Sequence, residues 1–219
     1  MNRAAVILLA LATLVASGPG FAGEEPAQSP PSPLYPPIEP YETGMLRVSE
    51  RHEIYWEQSG NPAGIPLILL HGGPGVELSP ALRRMVDPER YRIIGFDQRG
   101  CGKSRPWREW RDNDTRRLVE DIETLRAHLG IDAPAVFWGL SWGTTLALAY
   151  ASAHPDRVAG MILIGVFTCR DEEIDFLYHG GAAAFYPENY ERFRALVPHP
   201  ERGNYPMQLF EIISGAEAL

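Results

Sequence analysis

Short apolar runs separated by helix-forming stretches constrain this chain more than any other feature. Pro66–Leu70 (PLILL), Tyr91–Phe96 (YRIIGF), Ala135–Trp138 and Ala159–Val166 (AGMILIGV) have strand length and carry few polar positions. Ser79–Val86 reads as a short helix. Asp114–Leu129 reads as a longer one, with Leu118, Ile122, Leu125 and Leu129 on one face, Asp114 or Asn113 as cap and Gly130 as terminator. Trp142–His154 is a helix of small residues. Continuous apolar runs alternating with helices predict a largely parallel sheet with helices on both faces. Leu46–Arg51 and Glu53–Gln58 add a hairpin in front of it, turning near Arg51–His52. After Val166 no further strand–helix unit follows, and Asp171–Leu219 reads as helices with the character of a lid.

The N-terminal residues are of another kind. Met1–Ala22 joins Arg3, the apolar run Ala4–Val15 and a small-residue site at Gly20–Ala22. That is the layout of a secretory signal peptide, and its apolar run is too short to span a bilayer comfortably. Residues 23–40 hold seven prolines, which lock φ and remove donors, so an extended linker is expected. The expected organisation is signal peptide 1–22, linker 23–40, sheet domain 41–169 and helical cap region 170–219. The mature chain is expected in the periplasm or secreted, with no membrane association after cleavage.

Composition removes some functions. Lys+Arg number 20 against 28 Asp+Glu, a net charge of −8, which argues against binding nucleic acid phosphates. Two cysteines, Cys101 and Cys169, supply neither a disulfide framework nor a four-ligand zinc site. They follow different strands, which disfavours a bridge between them.

The chemistry concentrates in three loops, each directly after a predicted strand. Gly139-Leu140-Ser141-Trp142-Gly143 has the form G-x-S-x-G between a buried strand and a small-residue helix, the setting of a nucleophile elbow. Its glycines leave room for a tight turn that presents Ser141 Oγ above the sheet, and the helix N-terminus favours developing negative charge. His71-Gly72-Gly73-Pro74-Gly75 lets backbone N–H groups approach an oxygen. With the N–H of Trp142, that of Gly73 is the expected oxyanion donor. A phosphate loop is the alternative there, but no lysine stands in a Walker arrangement. His71 is expected to be structural. In Phe96-Asp97-Gln98-Arg99-Gly100-Cys101-Gly102-Lys103-Ser104, Asp97 and Arg99 are expected to fasten loops, and Cys101 lacks an evident base.

HGGPG, FDQRGCGKS and GLSWG followed by TTLALAYASAHPDRV, in this order, resemble the proline iminopeptidases. The lead-in IEPYETGMLRVSERHEIYWEQSGNPAG and the later GVFTCRDEEIDFLYHGGAAAFYPENYERF are similar to the same family, so the resemblance runs from about Pro36 to the end. It implies an α/β-hydrolase fold with a helical cap, and release of an N-terminal proline from peptide substrates. It makes Ser141 the nucleophile and puts Gly73 and Trp142 at the oxyanion hole. No metal or organic cofactor is implied. Another hydrolase of the fold, an esterase or amino-acid amidase, and a non-catalytic binding protein are the alternatives.

The sequence departs from the family in places. Leu140 stands where glycine is common, and Val76-Glu77-Leu78 replaces a glycine-rich stretch, bringing a charge towards the expected oxyanion pocket. In this fold the acid and histidine follow the serine, after later strands. Those last strands are missing here. The later histidines are His154, His179 and His199, and the candidate acids Asp156, Asp171 and Asp175, none after a strand. The expectation is therefore a chain that carries nucleophile and oxyanion hole without its base, weakly stable and inactive alone.

Overall fold

The structure is a computed structural model that describes residues 34–214. The signal peptide expected over Met1–Ala22 and the linker up to residue 33 lie outside the described residues. The rest falls into two units that divide between Val166 and Phe167, three residues before the boundary expected from sequence.

The first unit is a six-stranded mixed sheet in the order β1-β2-β4-β3-β5-β6. β1 (Glu42–Arg47) pairs antiparallel with β2 (Glu53–Gly60), and β2 antiparallel with β4 (Tyr91–Phe96). β3 (Ile65–Leu70) lies parallel between β4 and β5 (Ala135–Leu140), and β6 (Val158–Ile164) lies parallel to β5. The sequence misplaces β1, which begins at Glu42 rather than Leu46. Its first residues are polar, and Gly44 is there because a Cβ would meet the Trp56 ring at 2.7 Å. An edge strand with such neighbours shows no apolar period.

Side chains alternate across the sheet. On one face Leu67, Leu69, Ile93 and Trp138 pack with Leu78, Leu82 and Val86. Leu78 and Val86 flank, and Leu82 belongs to, a 3₁₀ turn at Pro80–Met85, whose start is capped by Ser79 Oγ accepting from the Ala81 N–H. On the other face α2 (Trp142–Ala153) lies on β5 and β3, with the Tyr150 ring tilted against Phe137 at 4.5 Å between centroids, and α1 (Thr115–His128) packs on α2. α1 begins as the sequence predicts. Asp114 accepts from the Arg117 N–H at 3.0 Å, and Leu118, Ile122 and Leu125 are buried.

Two expectations need correction. Residues 34–40 of the expected linker are irregular but fastened. Tyr35 N donates to Arg84 O, Arg84 Nε donates to Tyr35 O, and Ile38 packs against the core. The strand over Ala159–Val166 was expected to be buried. In β6, however, Met161, Ile162 and Ile164 are 39–40% exposed, because only β5 pairs with it among the described residues.

The second unit is helical, as expected: α3 (Asp171–Tyr178), α4 (Pro187–Arg194) and α5 (Tyr205–Ser214). Its core joins Tyr178, Phe193, Val197, Tyr205 and Leu209. No disulfide joins Cys101 and Cys169, and no described helix is long and apolar enough to cross a membrane.

Candidate functional site

The strand order creates a crevice before any side chain is considered. From β3 the chain moves to one side to form β4, then passes back across β3 to form β5 on the other side. β3 and β5 are thus neighbours whose outgoing loops diverge, the place where open α/β sheets bind ligands, at the carboxyl ends of the strands. HGGPG leaves β3 there and the serine turn leaves β5, with Leu70 and Gly139 in register.

Ser141 occupies the turn between β5 and α2 with φ 52° and ψ −118°. A non-glycine residue in that region is strained and persists only when its surroundings fix it. They do so here. Its N–H donates to Ile164 O at 2.9 Å, and its carbonyl accepts from the Thr144 N–H at 2.8 Å and the Thr144 hydroxyl at 2.7 Å. The flanking glycines are required by space. A Cβ on Gly143 would lie 2.0 Å from Leu70 O, and one on Gly139 2.6 Å from Gly143 O. Ser141 is half-buried, and the first turn of α2 opens immediately after it.

The HGGPG loop abuts this turn, since a Cβ on Gly72 would lie 3.4 Å from Ser141 Cβ. Gly73 has φ +113°, and a Cβ there would crowd Gly75 N at 2.7 Å. Glu77 is exposed further along the loop. His71 is buried and fully engaged. Its Nε2 accepts from the Gln98 N–H at 3.0 Å, so the ring proton sits on Nδ1 and is donated to Gly72 O at 2.9 Å. Burial lowers its pKa, against the Gly72 carbonyl and the Asp97 carboxylate, which favour the cation. It is a neutral structural imidazole, as the sequence suggests.

The third loop holds the other two together. Asp97 accepts from the Leu78 N–H at 2.7 Å and the Lys103 N–H at 2.8 Å. Arg99 makes a buried bidentate pair with Asp121 at 2.6 Å and donates to Asp112 O. Both residues fasten loops, as expected. Cys101 is buried, and its thiol pKa is pushed up to about 12 by that burial, which leaves no thiolate for nucleophilic attack.

Among the described residues of the first unit, no histidine is bonded to Ser141. His52 Nε2 is bonded to Arg111 O at 2.8 Å, His128 stands edge-on to Trp56, and His71 is engaged as above. His154 caps the far end of α2, a helix about 18 Å long, against the Tyr150 ring. In the second unit His179 Nδ1 lies 2.9 Å from Asp175 Oδ1, and His199 lies 3.5 Å from Glu201. Asp156 is exposed beside Arg157, and Asp171 opens α3. No group of three metal-ligating side chains occurs among the described residues.

Sequence reasoning missed Gln98. It lies between two charged residues in a loop, where nothing in the chain signals burial, yet it is buried and bonded to both His71 and Trp142. It also missed the buried pair of Arg83 with Glu57, which joins the Pro80–Met85 turn to β2.

The chain is 57% identical over 171 residues to a proline iminopeptidase of Arabidopsis thaliana, covering 78% of this chain and 45% of that protein. It is 49% identical over 185 residues to a probable proline iminopeptidase of Leptolyngbya boryana, covering 84% and 57%. The chain spans about half the length of the curated relatives it matches. Among solved structures it is similar to an esterase from Rhodococcus sp. ECU1013 (26% identity, TM-score 0.50, covering 80% of this chain and 67% of the other). A family model described as the alpha/beta hydrolase fold matches residues 65–207, from the start of β3 into α5, and the chain therefore belongs to the α/β-hydrolase family.

Proposed function

We propose that this chain carries the nucleophile half of a serine aminopeptidase that releases N-terminal proline from peptides. Ser141 Oγ attacks the carbonyl carbon of the prolyl residue. The resulting oxyanion sits between the N–H groups of Gly73 and Trp142. Collapse expels the remaining peptide as an amine and leaves proline esterified to Ser141, which water then hydrolyses. The observation that carries the reading is the strained Ser141 turn at the head of α2, pressed against the glycine loop after β3. The peptidase assignment rests on the names of the relatives.

The proton of Ser141 needs an acceptor, and among the described residues of the first unit no histidine is bonded to Ser141. His179 and His199 of the second unit stand beside Asp175 and Glu201, and we place the base outside residues 34–214. The 219-residue polypeptide should accordingly turn over slowly, because removing a triad member costs orders of magnitude in rate. Export is part of the same proposal and rests on Met1–Ala22 alone. N-terminal sequencing of protein from its source cells should start at Gly23.

An esterase is the second reading, favoured by the likeness to the Rhodococcus esterase. Turnover of a prolyl arylamide against a short-chain acyl ester separates the two. Slow release from the arylamide, abolished in Ser141→Ala, is the expected result. Ester cleavage alone would make the chain an esterase. A folded chain that cleaves neither and takes no serine-directed probe would be a non-catalytic binding protein.

A further inference from the structure

We propose that Gln98 is a positioning residue that clamps the HGGPG loop to the first turn of α2, so that the amides of Gly73 and Trp142 are oriented as one unit. The inference deepens the oxyanion-hole reading above and rests on it.

The path is continuous and buried. Trp142 Nε1–H donates to Gln98 Oε1 at 2.9 Å. The same side chain turns its other end to the glycine loop, where Nε2–H donates to His71 O at 3.0 Å. The Gln98 backbone N–H donates to His71 Nε2 at 3.0 Å, and His71 Nδ1–H reaches Gly72 O at 2.9 Å. Gln98 is 2% exposed, His71 1% and Trp142 0%. No water competes for such bonds, and losing one leaves a buried polar group unsatisfied.

The two ends of this path coincide with the two proposed donors. The Gly72 carbonyl and the Gly73 N–H belong to one planar peptide group, so a bond that fixes the carbonyl also fixes where the N–H points. At the other end the indole is held on the residue whose own N–H is the second donor. Glycine at 72 and 73 leaves that peptide free to rotate, and the His71 bond removes the freedom. An amide is the side chain this place needs, with one oxygen to accept from the indole and one NH₂ to donate to a carbonyl. A carboxylate in the same shape has nothing to donate to His71 O.

Gln98→Ala, Trp142→Phe and the double variant of the 219-residue chain test the clamp. Trp142→Phe keeps an aromatic ring and leaves Gln98 and His71 themselves unaltered. The first readout is solvent exchange of the His71 Nδ1 proton by ¹⁵N NMR, with exchange of the Ile122 amide in α1 as control for the fold. The second is the rate at which a fluorophosphonate labels Ser141. The expected result is a wild-type His71 in the Nδ1–H tautomer. Each single variant should exchange that proton and slow labelling by about tenfold, with no further loss in the double variant and unchanged exchange at Ile122.

Unchanged His71 exchange in Trp142→Phe overturns the clamp. So do single effects that simply add in the double variant. Faster His71 exchange with labelling at the wild-type rate makes the network structural only, and overturns the positioning role. Absence of labelling in the wild-type chain would defeat the nucleophile reading, and the clamp would then be decided by the His71 proton alone.

Discussion

At the scale of single residues, the site is built more by what is left out than by what is present. Gly143 has no room for a methyl group, because Leu70 O lies 2.0 Å and His71 O 3.0 Å from where a Cβ would be. Both neighbours are backbone, so neither moves without shifting the end of β3. Gly143→Ala should cost about 3 kcal/mol in urea denaturation. Gly130→Ala, where φ is +63° but nothing lies within 4 Å, should cost only about 1 kcal/mol. His71 makes a pH prediction of definite sign. Its folded pKa is depressed by burial, so the unfolded chain takes up the proton first as pH falls below about 6.5. Stability should be full above that pH and decline below it, by at most about 1.4 kcal/mol per pH unit from this group. Denaturation of wild type and His71→Gln between pH 5 and 7.5 measures the difference, and the variant should show the shallower slope. The proposed nucleophile Ser141 and proposed donors Gly73 and Trp142 could be singled out from sequence because motif spacing encodes a turn geometry. Gln98 could not, because its role depends on two partners 27 and 44 residues away.

At the scale of elements, the central strands and α1 were legible and the margins were not. β4 runs over Tyr91–Phe96 as read, since a strand buried on both faces writes a continuous apolar run. α1 was legible because its period and its cap agree. Asp114→Ala should remove the bond to the Arg117 N–H and cost about 1 kcal/mol, read as a shift of the urea midpoint at constant slope. β1 was displaced by four residues because an edge strand beginning Glu-Thr-Gly carries no pattern to read. β6 failed in the opposite way. Its apolar sequence announces burial on both sides, while among the described residues only β5 pairs with it. An apolar strand at a sheet edge exposes unpaired backbone and invites association. Met161→Lys or Ile162→Lys should therefore raise the soluble yield of the 219-residue chain and reduce its aggregation in light scattering.

At the scale of the whole molecule, the strand order is what joins the chemistry. The reversal of direction between β3→β4 and β4→β5 sets the glycine loop beside the serine turn, and the loop after β4 ties both down through Asp97 and Gln98. None of this arrangement is local in sequence. The three motifs could be seen one by one, but their convergence had to be inferred from a predicted sheet. The helical second unit was legible as helices only, since its amphipathic segments do not say where they pack. The central claim is that Ser141 is held ready for attack by residues 34–166, before any base is supplied. Prolonged exposure of the folded chain to a fluorophosphonate, followed by intact mass and peptide mapping, tests it most directly. A single adduct on Ser141, formed slowly and absent in Ser141→Ala, is the predicted result. A folded chain that takes no adduct, or takes it on another residue, would contradict the account.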